Sequence, residues 1–327
     1  MNIRKISSVS DVQISNNPGT QLTSKVLMIR PVQFGFNEET AGNNAFQKRG
    51  QLGEESKRSV QEIALKEFDS FVTLLESNGI EVIVVDDTVD SYTPDSIFPN
   101  NWFSTHSTGE LVLYPMCAPN RRAERKEAPL ARIKAQGAKG SMKRTVDLSG
   151  CETENLFLEG TGSMVLDRAN GVAFVCRSPR SDESILDKFC TSLGYRYYYF
   201  DALDRSGSLI YHTNVMMCMG EKFLVVCLDS IRDKVERETF IGIVNKLKKE
   251  IVDISIKQME KFAGNMLQLK NRDNESFLVM SATAKSSLTN DQLNVLEAHC
   301  KIIAPDITAI ETNGGGSARC MIAELFF

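Results

Sequence analysis

Side chains with reactive or amide groups recur along this 327-residue chain at intervals of roughly 53–58 residues, each just before a short apolar segment. Asn101, Glu159 and His212 are the first three, and Cys320 follows His212 at about twice that interval. Asn265, which precedes the segment MLQLK, lies half-way between them. A period of this length is typical of propellers and solenoids, in which equivalent positions of successive repeats come together in space. The spacing therefore predicts that a carboxylate, an imidazole and a thiol meet around one axis, as in a catalytic triad.

The composition favours one large domain. Hydrophobic residues make up 42% of the chain, which is enough for one large core or two ordinary ones. Separate domains would not share a common repeat, so we expect residues 25–327 to form a single domain. Residues 1–24 are polar and lack periodicity, and we interpret them as a loose N-terminal arm. The net charge of −4 is spread over interspersed acids and bases, which does not indicate binding to nucleic acid.

The cysteines and histidines argue for a reduced compartment and against a metal site. Eight cysteines occur, none in a CxxC pair, and most lie inside apolar segments. The three histidines lack the spacing of zinc ligands. With neither a signal peptide nor a transmembrane segment evident, we expect a cytoplasmic protein that needs no metal or organic cofactor and does not contact membranes.

Periodicity predicts alternating strands and helices. Strands are expected at 26–31 and 81–86, and turns at 168–171 and 219–222. The residues FGFNEETAGNNAF are expected to form a loop. Helices are predicted over 56–77, 181–193, 232–250 and 288–300; Gly79 would end the first, and Thr289-x-x-Gln292 would cap the last. About five units of two or three strands and one helix fit the chain, which predicts an α/β fold built as a closed ring of ββαβ-type modules.

Cys320 is the strongest candidate for a nucleophile. It follows Asn313-Gly-Gly-Gly-Ser-Ala-Arg319, and three successive glycines allow the backbone to approach a ligand closely and to turn N–H groups toward an anion. A thiolate beside an imidazolium is a strong nucleophile. Considered alone, Cys320 could instead be a buried core cysteine before a final strand.

The other candidates also have plain structural interpretations. His212 could be a satisfied core histidine, and Glu159 an ordinary turn acid. Asp95 and Asn101 could close turns. The basic cluster at 121–126 is interrupted by acids, which is typical of a solvated helix start. Arg121 and Arg180, which follow strand-like segments, could be surface charges or could bind a substrate carboxylate.

Several segments together resemble the pentein, or guanidino-group-modifying, superfamily. They are IRPVQFGFN, DSIFPNNW, YPMCAPNRRAE, LEGTGSMVLDR, YHTNVMMCMG and NGGGSARCMIAELF. The resemblance runs from about residue 25 to 327 and is greatest to amidinotransferase-like citrulline-utilisation hydrolases, with N-succinylarginine dihydrolase and dimethylarginine dimethylaminohydrolase as relatives. It implies a five-bladed α/β propeller with pseudo-fivefold symmetry and a Cys–His–Glu site at its centre.

By this resemblance, Cys320 is the nucleophile, His212 the general acid and base, and Glu159 the residue that orients the histidine and holds substrate nitrogens. The match also implies further substrate contacts. These are Asp95 and Asn313, together with Arg121 and Arg180 for the amino-acid carboxylate.

Two departures from the arginine deiminases bear on the substrate. Those enzymes carry aspartates where this chain has Asn101 and Asn214. A carboxylate pairs with a guanidinium ion, whereas asparagine suits a neutral ureido group such as that of citrulline. The resemblance thus implies a cysteine-dependent hydrolase that converts citrulline to ornithine, ammonia and carbon dioxide.

The alternatives are amidine transfer, deimination of arginine or dimethylarginine, and a non-catalytic pentein binding module. Oligomeric state stays open.

Overall fold

A computed structural model of the chain describes residues 4–15, 19–42, 44, 46–47, 54–137 and 141–327. Within them, fifteen strands form five three-stranded sheets. The strands are β1 (Lys25–Arg30), β2 (Glu81–Asp86), β3 (Phe103–Thr105), β4 (Glu110–Leu113), β5 (Arg144–Asp147), β6 (Val165–Asp167), β7 (Val172–Cys176), β8 (Arg196–Phe200), β9 (Met217–Met219), β10 (Phe223–Val226), β11 (Glu250–Asp253), β12 (Leu267–Lys270), β13 (Ser276–Val279), β14 (Lys301–Ile303) and β15 (Ala323–Leu325).

All five sheets have the same topology. The middle strand pairs antiparallel with one neighbour and parallel with the other, as in β6–β7–β8. The parallel pair requires a crossover, and α-helices lie in these connections. In the first sheet, β1 pairs parallel with β2 and antiparallel with the distant β15. The expected ββαβ unit and the expected number of units are therefore confirmed.

The four predicted helices are present with shifted ends, and seven further helices of the described residues were not predicted. They are α1 (Glu54–Ser77), α2 (Pro119–Arg122), α3 (Glu127–Gln136), α4 (Gly160–Ser163), α5 (Glu183–Leu193), α6 (Thr213–Met216), α7 (Lys234–Lys246), α8 (Ile256–Met259), α9 (Ala282–Ser287), α10 (Asn290–Glu297) and α11 (Thr308–Gly314). The capping box at Thr289 and Gln292 is present. The predicted helix 232–250 was too long, because Lys248 adopts a left-handed backbone (φ 58°) and Glu250 begins β11.

Residues 4–12, which the sequence analysis assigned to a loose arm, contact the rest of the protein. Ile6 donates its backbone N–H to the carbonyl of Tyr197, and Lys5 forms an ion pair with Glu183. Ile6 and Val12 are buried in the same apolar cluster as β9 and β10. This part of the segment is therefore held by packing, while the proposed boundary at residue 25 stays a prediction.

Buried apolar residues join neighbouring sheets into a common body. One cluster contains Leu27 of β1, Leu325 of β15 and Phe103 of β3, together with Trp102. It thus links the first sheet to the second and fixes the last strand of the chain against the first. Among the described residues, none of the helices combines the length and apolar character needed to cross a bilayer.

We predict that Leu27→Ala lowers the free energy of unfolding by about 2–5 kcal/mol, because it leaves a cavity in this cluster. Leu27 is 0% exposed, whereas Leu209 is 46% exposed. The matched variant Leu209→Ala should change stability by less than about 0.5 kcal/mol. Urea unfolding followed by circular dichroism measures both, and equal effects would contradict the assigned packing.

Candidate active site

Each residue of the repeated set lies on the turn that precedes the edge strand that pairs antiparallel with the middle strand of its sheet. Asn101 ends a 3-10 turn (Pro99–Asn101) before β3, and Glu159 and His212 stand at the N-termini of α4 and α6, before β6 and β9. Asn265 and Cys320 occupy the turns before β12 and β15. The residues that recur at this interval in the sequence therefore occupy equivalent positions in the five sheets.

Glu159 and His212 form a buried pair. Glu159 Oε2 lies 2.8 Å from His212 Nε2 and 3.3 Å from Arg180 Nη1. The other carboxylate oxygen accepts the backbone N–H of Cys117 at 2.9 Å. Gly160, at φ +46°, brings the following turn against the Asn100 carbonyl, where a side chain would have no room. The carboxylate is 0% exposed, so these contacts replace its hydration.

The charge states of this pair follow from its surroundings. Burial alone would raise the pKa of Glu159, but Arg180 and the hydrogen bond from His212 outweigh it and hold that pKa well below its usual value. Burial lowers the pKa of His212 to about 4, although Glu159 acts in the opposite direction. The ionised carboxylate can only accept a hydrogen bond, so Nε2 carries the proton of the neutral ring. His212 Nδ1 is therefore the basic nitrogen.

Cys320 lies beside two side-chain amides. Asn265 Nδ2 is 3.2 Å from Cys320 Sγ, and Asn214 Nδ2 is 3.6 Å from the same sulfur. Asn214 belongs to α6, the helical turn that His212 begins, so the thiol packs against the turn that carries the imidazole. Cys320 is 7% exposed.

The glycine loop is used for packing. Side chains at Gly314 and Gly316 would collide with the Phe98 ring, and one at Gly315 (φ +66°) would collide with Asn44 and Gln47. The Gly315 N–H donates to the Glu311 carbonyl at 2.9 Å, and the Gly315 carbonyl accepts from the Tyr211 hydroxyl at 3.2 Å. The N–H of Gly315 is thus already hydrogen-bonded within the protein. Glycines are required here because the loop backbone packs directly against Phe98, Asn44 and Gln47.

Two described residues of the segment FGFNEETAGNNAF, Asn37 and Thr40, contact candidate site residues. Asn37 Nδ2 donates to Asp95 Oδ2 at 2.7 Å, and the Thr40 hydroxyl donates to the same oxygen at 3.3 Å. The Thr40 carbonyl accepts from Arg180 Nη2 at 3.4 Å. Arg180 also lies over the Tyr211 ring. Two of the candidate substrate-binding residues are therefore tied to this loop.

Arg121 is buried, which corrects the interpretation of its segment as a solvated helix start. Its guanidinium makes a bidentate ion pair with Glu124 at 2.8 and 3.0 Å. Nη1 donates to Asn101 Oδ1 at 2.7 Å, and Nη2 donates to the Phe98 carbonyl. Burial raises the pKa of Glu124 to about 7, against the lowering effect of Arg121. Most of the Arg121 donors are thus engaged within the protein.

Three candidate residues carry buried polar atoms that lack a hydrogen-bond partner within the described part of the chain. The atoms are Asp95 Oδ1, Asn101 Nδ2 and Asn214 Oδ1. Such atoms are rare in folded proteins and often mark functional sites. Asn313 differs, since its amide donates to the Ala309 carbonyl one turn earlier in α11. Its proposed contact with substrate stays a prediction.

Some neighbours of the site had no role in the sequence analysis. The repeat interval alone indicates Asn265, without a chemical role, and its side-chain amide contacts the Cys320 sulfur. The sequence pattern places Glu124 in a solvated basic cluster and Asn37 and Thr40 in a loop, and it does not indicate their contacts with the site. The described residues contain no group of three or more His, Cys, Asp or Glu side chains arranged to hold a metal ion.

Residues 30–327 match the model of the family described as N,N dimethylarginine dimethylhydrolase, eukaryotic. The chain belongs to this family. It is a pentein enzyme, and the expected class of hydrolase acting on C–N bonds other than peptide bonds is confirmed. No curated protein sequence matched the chain.

Solved structures share the fold at low sequence identity. The N-terminal domain of a cyanobacterial arginine dihydrolase, ArgZ, in a Cys-to-Ser mutant bound to substrate, has a TM-score of 0.69 and 17% identity over 92% of this chain and 97% of its own. Unliganded AgrE has a TM-score of 0.68 and 15% identity over 92% of this chain and 39% of its own. A dimethylarginine dimethylaminohydrolase adduct has a TM-score of 0.61 and 13% identity over 92% of this chain and 99% of its own. These likenesses establish the α/β pentein-type fold.

We predict that the His212 ring stays neutral above pH 5 and gains a proton only near pH 4. Its pKa in the unfolded chain is about 6.5. The unfolded state therefore binds more protons between pH 6.5 and 4, and the contribution of His212 to stability is lost as the pH falls through that window. Nitrogen-15 NMR of labelled imidazoles, assigned with His212→Gln, should show Nε2 protonated throughout. A midpoint near pH 6.5 would refute the assignment.

Proposed function

We propose that this chain hydrolyses the ureido C–N bond of citrulline and releases ornithine, ammonia and carbon dioxide. The observation that carries the proposal is that the side chains in contact with the Cys320 sulfur are uncharged: both are asparagine amides. Asn101 adds a third amide at the turn before β3. A guanidinium substrate would gain more from carboxylates at these positions.

We also infer that the five sheets close into a five-bladed propeller and that residues 25–327 form one domain. We infer further that the protein works in the cytoplasm, where its eight free thiols stay reduced.

The first half of the reaction forms a covalent intermediate. His212 Nδ1 takes the thiol proton as Cys320 Sγ attacks the ureido carbon, and Glu159 stabilises the imidazolium that results. The proton then passes to the departing nitrogen, which leaves as ammonia. The product of this half is a thiocarbamate that joins the sulfur to the remaining carbonyl carbon.

The second half regenerates the thiol. His212 removes a proton from water, the hydroxide attacks the thiocarbamate carbon, and the C–S bond breaks. The released carbamate loses carbon dioxide and leaves ornithine. Citrulline and one water thus give one ornithine, one ammonia and one carbon dioxide.

The substrate-binding residues take separate roles in this proposal. Asp95 Oδ1 and Asn214 Oδ1 are acceptors suited to N–H groups, and Asn101 Nδ2 is a donor suited to the ureido oxygen. Arg121 holds Asn101 Oδ1, which supports a role in turning Nδ2 toward the substrate. Arg180 keeps the role of binding the substrate carboxylate, and its guanidinium also contacts Glu159 Oε2 and the Thr40 carbonyl.

Arginine dihydrolysis is the second candidate. The structural neighbours ArgZ and AgrE favour it, since one is named an arginine dihydrolase and the other was solved with L-arginine. Such an enzyme would release two ammonia molecules per arginine and would also accept citrulline if that is its intermediate. Amidine transfer would instead consume a second amine and release no ammonia.

We predict that Cys320→Ala abolishes ammonia release from citrulline while the circular dichroism spectrum stays unchanged. The test compares citrulline, arginine, dimethylarginine and N-succinylarginine as substrates, with ammonia, dimethylamine and ornithine quantified together. Cys151→Ala, at a half-buried cysteine of another turn, serves as the matched control and should retain activity. Ammonia release by Cys320→Ala would remove the thiol from the mechanism.

We predict that Asn101→Asp shifts the ratio of kcat/KM for arginine over citrulline upward by about tenfold or more. The new carboxylate would attract a guanidinium ion and would remove the donor to the ureido oxygen. Asn100→Asp adds a charge at the neighbouring buried residue and is the control for a general charge effect. An equal shift in both variants would argue against a specific contact by Asn101.

A further inference from the structure

The sulfur of Cys320 has a hydrogen-bond donor at a fixed position. Asn265 Nδ2 lies 3.2 Å from it, within the range for a hydrogen bond to sulfur, and closer than Asn214 Nδ2 at 3.6 Å. Asn265 is 2% exposed, so solvent does not compete for its amide. Of the two amides on the sulfur, that of Asn265 makes the shorter contact.

Backbone groups on two sides set the orientation of the Asn265 amide. Its Oδ1 accepts the N–H of Arg319 at 3.1 Å, and its Nδ2 donates to the carbonyl of Asn214 at 3.1 Å. A flipped amide would place its NH₂ against the Arg319 N–H and its oxygen against the Asn214 carbonyl. Both contacts would then be repulsive. The second N–H of Nδ2 is therefore directed at the sulfur, and Oδ1, 3.6 Å from the sulfur, accepts the hydrogen bond of the resting thiol.

The charge state of His212 makes this donor chemically useful. Burial lowers the pKa of His212 to about 4, so the resting ring is neutral at physiological pH and supplies no full positive charge to a thiolate. Proton transfer from sulfur to His212 creates the thiolate only as attack proceeds. A donor already in place stabilises that charge without reorganisation.

We propose that Asn265 is a catalytic residue whose Nδ2–H group stabilises the Cys320 thiolate during attack and again when the sulfur leaves the thiocarbamate. This inference rests on the proposed function for its substrate, but the contact with sulfur can be tested without any substrate. It assigns a chemical role to the fourth position of the repeat, on the turn before β12.

Alkylation of Cys320 by iodoacetamide from pH 5 to 10 tests the contact directly. Mass spectrometry of the peptide that carries Cys320 separates it from the other cysteines. The variants are Asn265→Ala, which removes the donor, and Asn265→Asp, which keeps the acceptor for Arg319 and places an anion near the sulfur. The other titratable neighbours of the sulfur, His212, Tyr211 and Arg319, stay unchanged.

We expect the midpoint of the alkylation profile to move up by about one pH unit or more in both variants, which lowers the rate at pH 7 about tenfold. The kcat for citrulline should fall at least tenfold, with KM changed less than threefold. Asn271→Asp, at a buried asparagine of the turn between β12 and β13, controls for loss of a buried amide donor and should leave the profile unchanged.

Other outcomes overturn the inference. A folded Asn265→Ala protein with the wild-type alkylation profile would show that the amide only shapes the turn, even if kcat fell. If both variants unfold, Asn265→Ser provides the same measurement with a shorter donor, and an unchanged profile there counts equally against the proposal. If wild type alkylates as expected but releases no ammonia from citrulline or arginine, the proposed function fails and the role of Asn265 toward the sulfur stands.

Discussion

The burial of one carboxylate organises the centre of this protein. Glu159 is fully covered and still ionised, because Arg180, His212 and a backbone N–H share its negative charge. Removing any of these contacts would leave a buried charge without compensation, which is costly. The turns that carry Arg180 and His212 are therefore held against the turn that carries Glu159. The contact between Glu159 and His212 also determines which nitrogen of the imidazole carries the proton.

Two neutral side-chain amides contact the sulfur. Asn214 and Asn265 donate to Cys320, and Asn101 is held by Arg121. Carboxyl groups lie instead at Glu159, which is ionised, and at Asp95, whose pKa burial raises despite Arg121. The amide groups thus lie at the sulfur and at Asn101, whereas the buried carboxyl groups lie at Glu159 and Asp95.

Local pattern predicted much of the fold, because periodicity and turn residues are local properties. The strand 81–86 and the glycine that ends α1 follow directly from them. The recurrence interval also identified the turns that hold Glu159, His212 and Cys320. The burial of Arg121 against Glu124 was missed, since a basic cluster looks the same whether solvent or another chain segment covers it. The contacts of Asn37 and Thr40 with the site join residues far apart in sequence, and no local signal encodes such pairing.

The turn that carries Cys320 leads into β15, whose residues 323–325 pair with residues 25–27 of β1. The first and last strands must therefore be in register before the sulfur can reach the amides of Asn214 and Asn265. A chain shortened by a few C-terminal residues would retain the imidazole and its carboxylate but would lose the pairing that holds the Cys320 sulfur against these amides. The reactivity proposed for Cys320 therefore depends on the pairing of the chain's last strand with its first.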